Sequence, residues 1–300
     1  MLGAAGGHAD YAGNEVNALN LLADQPAWAQ LRAPSANTDV INKGAFYLDK
    51  RPAATHTYYA SQFIDRLDRM VVFCGLGLSG PFPDLPIGYP YTGSSRSYSF
   101  NVGKGDWDAP DYIAQFPADV ADLYACLCVR HPLTGDVYYS RNAGNAWYRW
   151  TSSANRWDRL SGFSRGSWYA GAAIDTKRNR MLVVGGYTAV APMVLNLDGS
   201  IQQVSFGGLG ASALTLSGGY PGVVYDESND LYIVVFNADG NIKILTVRAS
   251  DLYVDSPTLR GPTPAARTNG IQNSVQYVPQ LKGIVIANNY YGDVYFMKTA

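Results

Sequence analysis

Few residues in this sequence are equipped for chemistry. There are three histidines, His8, His56 and His131, and of 24 acidic residues only Glu15 and Glu227 are glutamates. One cluster stands near the N-terminus, where His8-Ala-Asp10 precedes the turn Gly13-Asn14-Glu15. An imidazole and two carboxylates on one loop could bind a divalent cation or act as a general acid and base. His8 is then a binding candidate, and Asp10 and Glu15 are the catalytic candidates. The competing reading is that these polar side chains hydrogen-bond a neighbouring structural unit. A second group comes from two matching stretches, Pro52-Ala-Ala-Thr-His56-Thr-Tyr58-Tyr59 and Pro264-Ala-Ala-Arg267-Thr-Asn269. They nominate His56, Tyr58, Arg267 and Asn269 as ligand contacts, unless Pro-Ala-Ala merely shapes a loop and Arg267 ties structural units together. A third group is aromatic. The Pro/Gly-rich stretch 76–91 carries Phe82, Tyr89 and Tyr91, and Asp106-Trp107-Asp108 follows it. Rings beside carboxylates suit sugars, whose apolar faces stack while hydroxyls hydrogen-bond; the same residue types also mark protein interfaces. Both partners stay open.

Other chemistries find no support. Cys74, Cys126 and Cys128 match no metal spacing, so buried free thiols are expected and neither a metal nor a cofactor is. Asn237-Ala-Asp239-Gly240-Asn241 begins like a calcium loop but has no Glu further on and no flanking helices, so it reads as a hairpin turn. No phosphate-binding loop, dinucleotide fingerprint, Gly-x-Ser-x-Gly elbow or His-Glu-x-x-His helix occurs. His131 precedes Pro132 in a turn, and no copper-type His/Tyr/Cys constellation can be assembled.

The elements that position these residues follow from composition. The chain has 300 residues, 31 Gly, 16 Pro and 22 Tyr, and its acids are almost all Asp, the acid of turns rather than of helices. An apolar fraction of 47% with 16% charged residues fits a folded β protein. A formal net charge of −1 gives no field for nucleic acid, and no apolar run is long enough to cross a bilayer, so neither nucleic-acid binding nor membrane insertion is expected. The start, Met1-Leu2-Gly3-Ala4-Ala5-Gly6-Gly7, lacks the basic residues of a signal peptide.

Self-similarity supplies the architecture. Residues 62–75, 173–186 and 224–236 each read as strand, Asp-bearing turn and continuous apolar strand, the turns starting at Asp65, Asp175 and Asp226. Residues 128–139 and 276–287 are weaker copies. An Asp side chain bonds backbone N–H groups two residues on, and a continuous apolar strand is one covered on both faces. Third strands return through tight turns at Asp198-Gly199 and Asp239-Gly240. Fourth strands are marked by Trp28-Ala-Gln-Leu31 and Trp157-Asp-Arg-Leu160. Second-strand ends near residues 7, 75, 139, 186, 236 and 288 give about six copies at the spacing of four-stranded propeller blades.

The paired glycines Gly6-Gly7 and Gly185-Gly186 after an apolar strand, with Tyr following and Trp-x-x-Leu later, resemble kelch-repeat propellers of the galactose-oxidase-like type. The segment from Gly6 to Val16 is similar to one found in kelch-like proteins of bacteria and phages. The expectation is an all-β, kelch-like β-propeller occupying 1–300 as one domain, with about six blades of four antiparallel strands. The terminal blades would be incomplete, and an insertion at 76–97 would sit within the second blade. The expected function is a non-catalytic binding or assembly module for a glycan or protein partner, on a phage virion or tail or at a cell surface, hence extracellular or virion-associated. The alternative is a secreted carbohydrate-active hydrolase with carboxylates near a central channel; their separation would set its stereochemistry.

Overall fold

The computed structural model describes residues 2–4, 13–40, 45–73, 76–77, 97–117, 126–140, 146–162, 169–218, 220–288 and 292–299. The protein is an all-β propeller of five blades with few helices. An N-terminal sheet joins β1 (Leu2–Ala4), β2 (Val16–Leu19) and β3 (Trp28–Arg32), and β4 (Thr55–His56) pairs with β7 (Leu76–Gly77). Blade 1 is β5 (Ser61–Ile64), β6 (Arg69–Phe73), β8 (Ser97–Asn101) and β9 (Asp106–Trp107). Blade 2 is β10 (Leu127–Arg130), β11 (Val137–Ser140), β12 (Ala146–Thr151) and β13 (Arg156–Gly162). Blade 3 is β14 (Gly171–Asp175), β15 (Arg180–Val184), β16 (Met193–Asn196) and β17 (Ile201–Gln202). In blade 4, β18 (Gly207–Gly208) runs parallel to β22 (Tyr253–Asp255). The rest of that sheet is β21 (Asn241–Arg248), β20 (Leu231–Ala238) and β19 (Gly222–Asp226). Blade 5 is β23 (Val275–Val278), β24 (Gly283–Ala287) and β25 (Val294–Lys298).

Five blades replace the expected six. The repeating element is the first hairpin, and it occurs five times. Each copy's turn ends on a left-handed residue just before the second strand: Asp68, Gly135, Asn179, Asp230 and Lys282. The extra copy was counted on Ala4-Ala5-Gly6-Gly7. Among the described residues there, β1, β2 and β3 form a three-stranded sheet, and Ala5, Gly6 and Gly7 lie outside those residues. The expected insertion falls between neighbouring strands, since β6 pairs directly with β8. Of its residues only Leu76, Gly77 and Ser97 are among those described, so Phe82, Tyr89 and Tyr91 lie outside them.

The chain forms two compact units, residues 1–125 with 150–157, and residues 126–149 with 158–300. In the second unit, period-two alternation divides each second strand between two cores. On β15, Met181 and Val183 pack with Leu127, Val129 and Trp147, while Leu182 and Val184 pack with Tyr232, Val234 and Val247. On β20, Tyr232 and Val234 face blade 3, and Ile233 and Val235 face Ile284 and Ile286 of blade 5. Both faces are covered, so the runs are continuously apolar. Innermost strands approach closely at their starts. A Cβ on Gly222 would lie 2.2 Å from Val275 Cγ1, and one on Gly171 would lie 2.5 Å from the Pro221 carbonyl oxygen.

The first unit holds blade 1 and the N-terminal sheet. Val16, Met70 and Phe100 form its small core with Trp107 against them. Phe73 packs on Trp150 and Trp157, and Trp157 stacks on Phe116 at 4.2 Å.

Candidate lead-in site

Each innermost strand has two ends with different chemistry. Its start is reached through a lead-in, and its finish is the hairpin turn, which begins with Asp65, Asp175 and Asp226 in three of the blades. The lead-ins share a backbone feature. Tyr58, Tyr169, Tyr220 and Gln272 precede β5, β14, β19 and β23 by two or three residues, and their φ angles are 42°, 57°, 39° and 49°. A bulky side chain in the left-handed region costs about 1–2 kcal/mol and persists only where surroundings hold it. Residues 118–125, before β10, lie outside the described residues.

In the second unit three lead-ins lie close together. Tyr220 accepts hydrogen bonds at its carbonyl from the N–H groups of Ile271 and Gln272, at 3.0 and 2.9 Å. Its ring lies 4.2 Å from that of Tyr169, and Tyr169 lies 6.1 Å from Tyr187, which is 57% exposed. On the other side, Gly270 packs so tightly on Tyr220 that a Cβ there would lie 2.3 Å from the tyrosine Cβ. Gly270 has φ 81°, and its N–H donates to the Arg267 carbonyl at 3.1 Å. The result is a row running Tyr187, Tyr169, Tyr220, Gly270, Arg267.

Arg267 is firmly placed. Asn237 clamps its backbone from both sides, its Nδ2 donating to the Arg267 carbonyl at 2.6 Å and its Oδ1 accepting from the Arg267 N–H at 3.0 Å. The preceding residues pair with the β20–β21 hairpin: Ala266 N–H donates to Gly240 O, and Ile242 N–H to Pro264 O. Asn288 Nδ2 donates to Ala265 O at 3.0 Å, while the buried Asn288 Oδ1 has no partner. The half-buried guanidinium uses only Nη1, which reaches Gly270 O at 3.4 Å and Ile271 O at 3.2 Å, at or beyond the long end of the normal range. No carboxylate among the described residues lies within ion-pair distance of it. Burial without a counter-charge holds its pKa below the usual arginine value. Asn269 is exposed beside it, with its carbonyl engaged by Gln272 Nε2 at 2.8 Å.

The Asp turns are saturated instead. Asp175 Oδ1 accepts from the N–H groups of Lys177 and Arg178 at 3.0 and 3.1 Å, and Asp226 Oδ1 accepts from Ser228 and Asn229 at 3.0 and 3.2 Å. The residue three positions on then reaches the next blade. Arg178 Nη1 donates to Asp175 Oδ2 at 2.8 Å and to Asp230 Oδ1 at 2.9 Å, and its Nη2 donates to Asp230 Oδ2 at 2.7 Å. Tyr225 OH donates to Asp230 Oδ1 at 2.7 Å. Correspondingly, Asn229 Nδ2 donates to Asp226 Oδ2 and to Thr299 O. The Arg178 hydrogen bonds bring the Asp230 pKa down to about 2, and Asp230 in turn raises that of Arg178. Burial pushes the Asp226 pKa up, but donors outweigh it and the net direction is down. Acids read as turn formers thus act as blade-to-blade latches.

The other nominated residues lie in the first unit. Glu15 is 2% exposed at the start of β2, and its Oε2 has no partner. Its neighbour Asn14 donates to Ser35 Oγ and to Pro52 O. Trp107 is half-buried, 5.4 Å from Phe100, and its Nε1 donates to Asn14 O at 3.2 Å. The adjacent acids are engaged as well, Asp106 by Arg32 at 2.9 Å and Asp108 by Arg69 at 2.7 Å. His56 is placed in β4, and Tyr58 is half-buried. His8 and Asp10 lie outside the described residues. In the second unit Cys126 and Cys128 are buried free thiols, and His131 Nδ1 accepts from the N–H groups of Leu133 and Thr134. No group of three or more His, Cys, Asp or Glu that could hold a metal occurs among the described residues. Among the described residues no helix is long and apolar enough to cross a membrane.

The Pro-Ala-Ala repeat nominates Arg267 and Asn269, which stand beside these lead-in contacts. It misses Tyr169, Tyr187, Tyr220, Asn237 and Asn288. A signal did exist, because Tyr169-Ala-Gly171 and Tyr220-Pro-Gly222 repeat Tyr-x-Gly ahead of two innermost strands.

No family model matches the chain, and no curated protein matches it. Among solved structures, the nidogen/laminin complex contains a similar chain at 13% identity and TM-score 0.46, covering 64% of this chain and 66% of that one. TolB from Acinetobacter baumannii is similar at 14% identity and TM-score 0.43, covering 68% of this chain and 46% of that one. The protein thus spans just under two thirds of the first of these chains and less than half of the second.

Proposed function

We propose that the protein is a non-catalytic binding or assembly module that engages a glycan or a protein partner through its blade lead-ins. The observation that carries this reading is the fixed Arg267 guanidinium, which lacks a counter-ion and stands at the end of a tyrosine row. Binding sites are made of groups that the fold positions but leaves unsatisfied. Carboxylates give the complementary support, since Asp106, Asp108, Asp175, Asp226 and Asp230 are all engaged in structural bonds. In this reading the protein belongs to the kelch-type propellers, with Gly185-Gly186 (Gly185 at φ 77°) as the surviving double glycine. It works outside the cell, on a cell surface or on a phage particle. A glycan array and a partner pull-down with the full chain test this: saturable binding without turnover is expected.

One observation favours a second reading, a carbohydrate-active hydrolase. Glu15 is a buried carboxylate whose Oε2 has no hydrogen-bond partner among the described residues, and a carboxyl group is the residue type a hydrolase uses as general acid. Its partner in that reading is Asp10. Release of nitrophenol from aryl glycosides, abolished by Glu15→Gln, would establish the hydrolase and reject the binding module.

A further inference from the structure

The row in the second unit carries a more specific assignment, which rests on the binding-module reading above. We propose that Arg267 and the Tyr220–Tyr169–Tyr187 row form a subsite for a carboxylated sugar. The sugar carboxylate is taken by the Nε/Nη2 edge of the guanidinium, and a sugar ring stacks on the exposed Tyr187, which the buried Tyr169 and the Tyr220 ring back from behind.

The argument starts from the donor inventory. A guanidinium has five N–H donors, and the only contacts recorded for Arg267 run through Nη1 to two carbonyls at 3.2 and 3.4 Å. The Nε/Nη2 edge is the face that binds a carboxylate with two parallel hydrogen bonds. Nε and Nη2 have no hydrogen-bond partner among the described residues. Removing a guanidinium from water without a counter-charge is unfavourable, and an incoming carboxylate relieves that. The Asn237 clamp fixes the residue beforehand, so little ordering remains to be done on binding.

The tyrosines decide the class of ligand. An acidic peptide needs charge and backbone partners; an exposed, firmly backed ring suits the apolar face of a sugar. Tyr187 supplies that ring at 57% exposure, and it is backed by Tyr169, 8% exposed and 6.1 Å away, which itself packs on Tyr220 at 4.2 Å. The exposed Asn269 side chain stands beside the guanidinium.

Calorimetric titration of the full chain tests the assignment with four probes: trigalacturonate, its methyl ester, 3′-sialyllactose and lactose. Trigalacturonate or sialyllactose binds, which separates a uronate from a sialate source, and the uncharged ester and lactose bind at least tenfold more weakly. Arg267→Gln loses at least tenfold, Arg267→Lys loses part of that because it keeps the charge without the fork, and Tyr187→Ala loses about threefold. The ester comparison needs no variant and stands even if Arg267→Gln fails to fold. Equal binding of acid and ester, unchanged binding by a folded Arg267→Gln, or binding of a tri-aspartate peptide in place of both acidic sugars would overturn the subsite. So would no acidic-sugar binding alongside capture of another ligand on the array, a result that leaves the binding-module reading standing. Glycoside turnover removes that broader reading.

Discussion

Arg178 stands between two carboxylates at the finish of an innermost strand, and Arg267 stands among carbonyls before the start of another. Both belong to the second unit and both are held by neighbouring blades. Arg178 makes three charge-assisted bonds of 2.7–2.9 Å with Asp175 and Asp230. Arg267 makes two long contacts with neutral oxygens. The pKa directions are opposite as well, raised at Arg178 by the Asp230 bonds and lowered at Arg267 by burial. The contrast shows that one residue type does different work at the two ends of the same strands. Where both sides of a charge are supplied internally, the result is adhesion between blades. Where only one side is supplied, the proposed ligand supplies the other.

Three changes probe that contrast. The largest effect is expected at Arg178→Ala, which leaves the fully buried Asp175 carboxylate with Arg180 Nε at 3.5 Å as its remaining cation. A stability loss of about 3 kcal/mol is expected in urea unfolding, with ligand affinity unchanged. A loss below about 1 kcal/mol would show that the latch is ornamental.

The second test is acid stability. The Asp230 pKa is depressed from 3.8 to about 2, so its contribution is fully present above the unfolded value and disappears as pH falls from about 4 towards 2. That contribution is about 2 kcal/mol. Asp230→Asn should flatten this part of the stability curve; an unchanged curve would move the acid sensitivity elsewhere.

The smallest effect is expected at His131, whose Nδ1 accepts two backbone N–H groups and whose pKa burial lowers. The folded state favours the neutral ring, so this stability is present above the unfolded pKa of 6.5 and is lost as pH falls through the folded value. His131→Asn, which retains an acceptor, should lose less than about 1 kcal/mol and remove the pH dependence. Persistence of that dependence would contradict the cap.

Much of the fold was legible because its causes are local. An Asp that bonds the N–H groups two and three residues on needs no distant partner, and so the turns at Asp175 and Asp226 could be read directly. The Asp239-Gly240 hairpin is similar: both residues have positive φ, at 51° and 74°, as a two-residue loop requires. The blade number was overcounted because an apolar run ending in paired glycines, Ala4-Ala5-Gly6-Gly7, has the composition of a second-strand end. The latch and the row were only half visible. Asp175 announces a turn, but its tie through Arg178 to Asp230 spans 52 positions. Arg267 announces itself through Pro-Ala-Ala, but the residue that fixes it, Asn237, is 30 positions away. Such pairings are set by blade stacking, which no local pattern encodes.

The most direct test of the division between latch and lead-in is a side-by-side titration of trigalacturonate and 3′-sialyllactose into folded Arg178→Ala and Arg267→Gln, each with a thermal melt. Arg178→Ala should melt several degrees lower and bind as the parent does, while Arg267→Gln should melt near the parent and bind at least tenfold more weakly. If binding is lost with Arg178 and kept without Arg267, the two ends have been assigned the wrong way round.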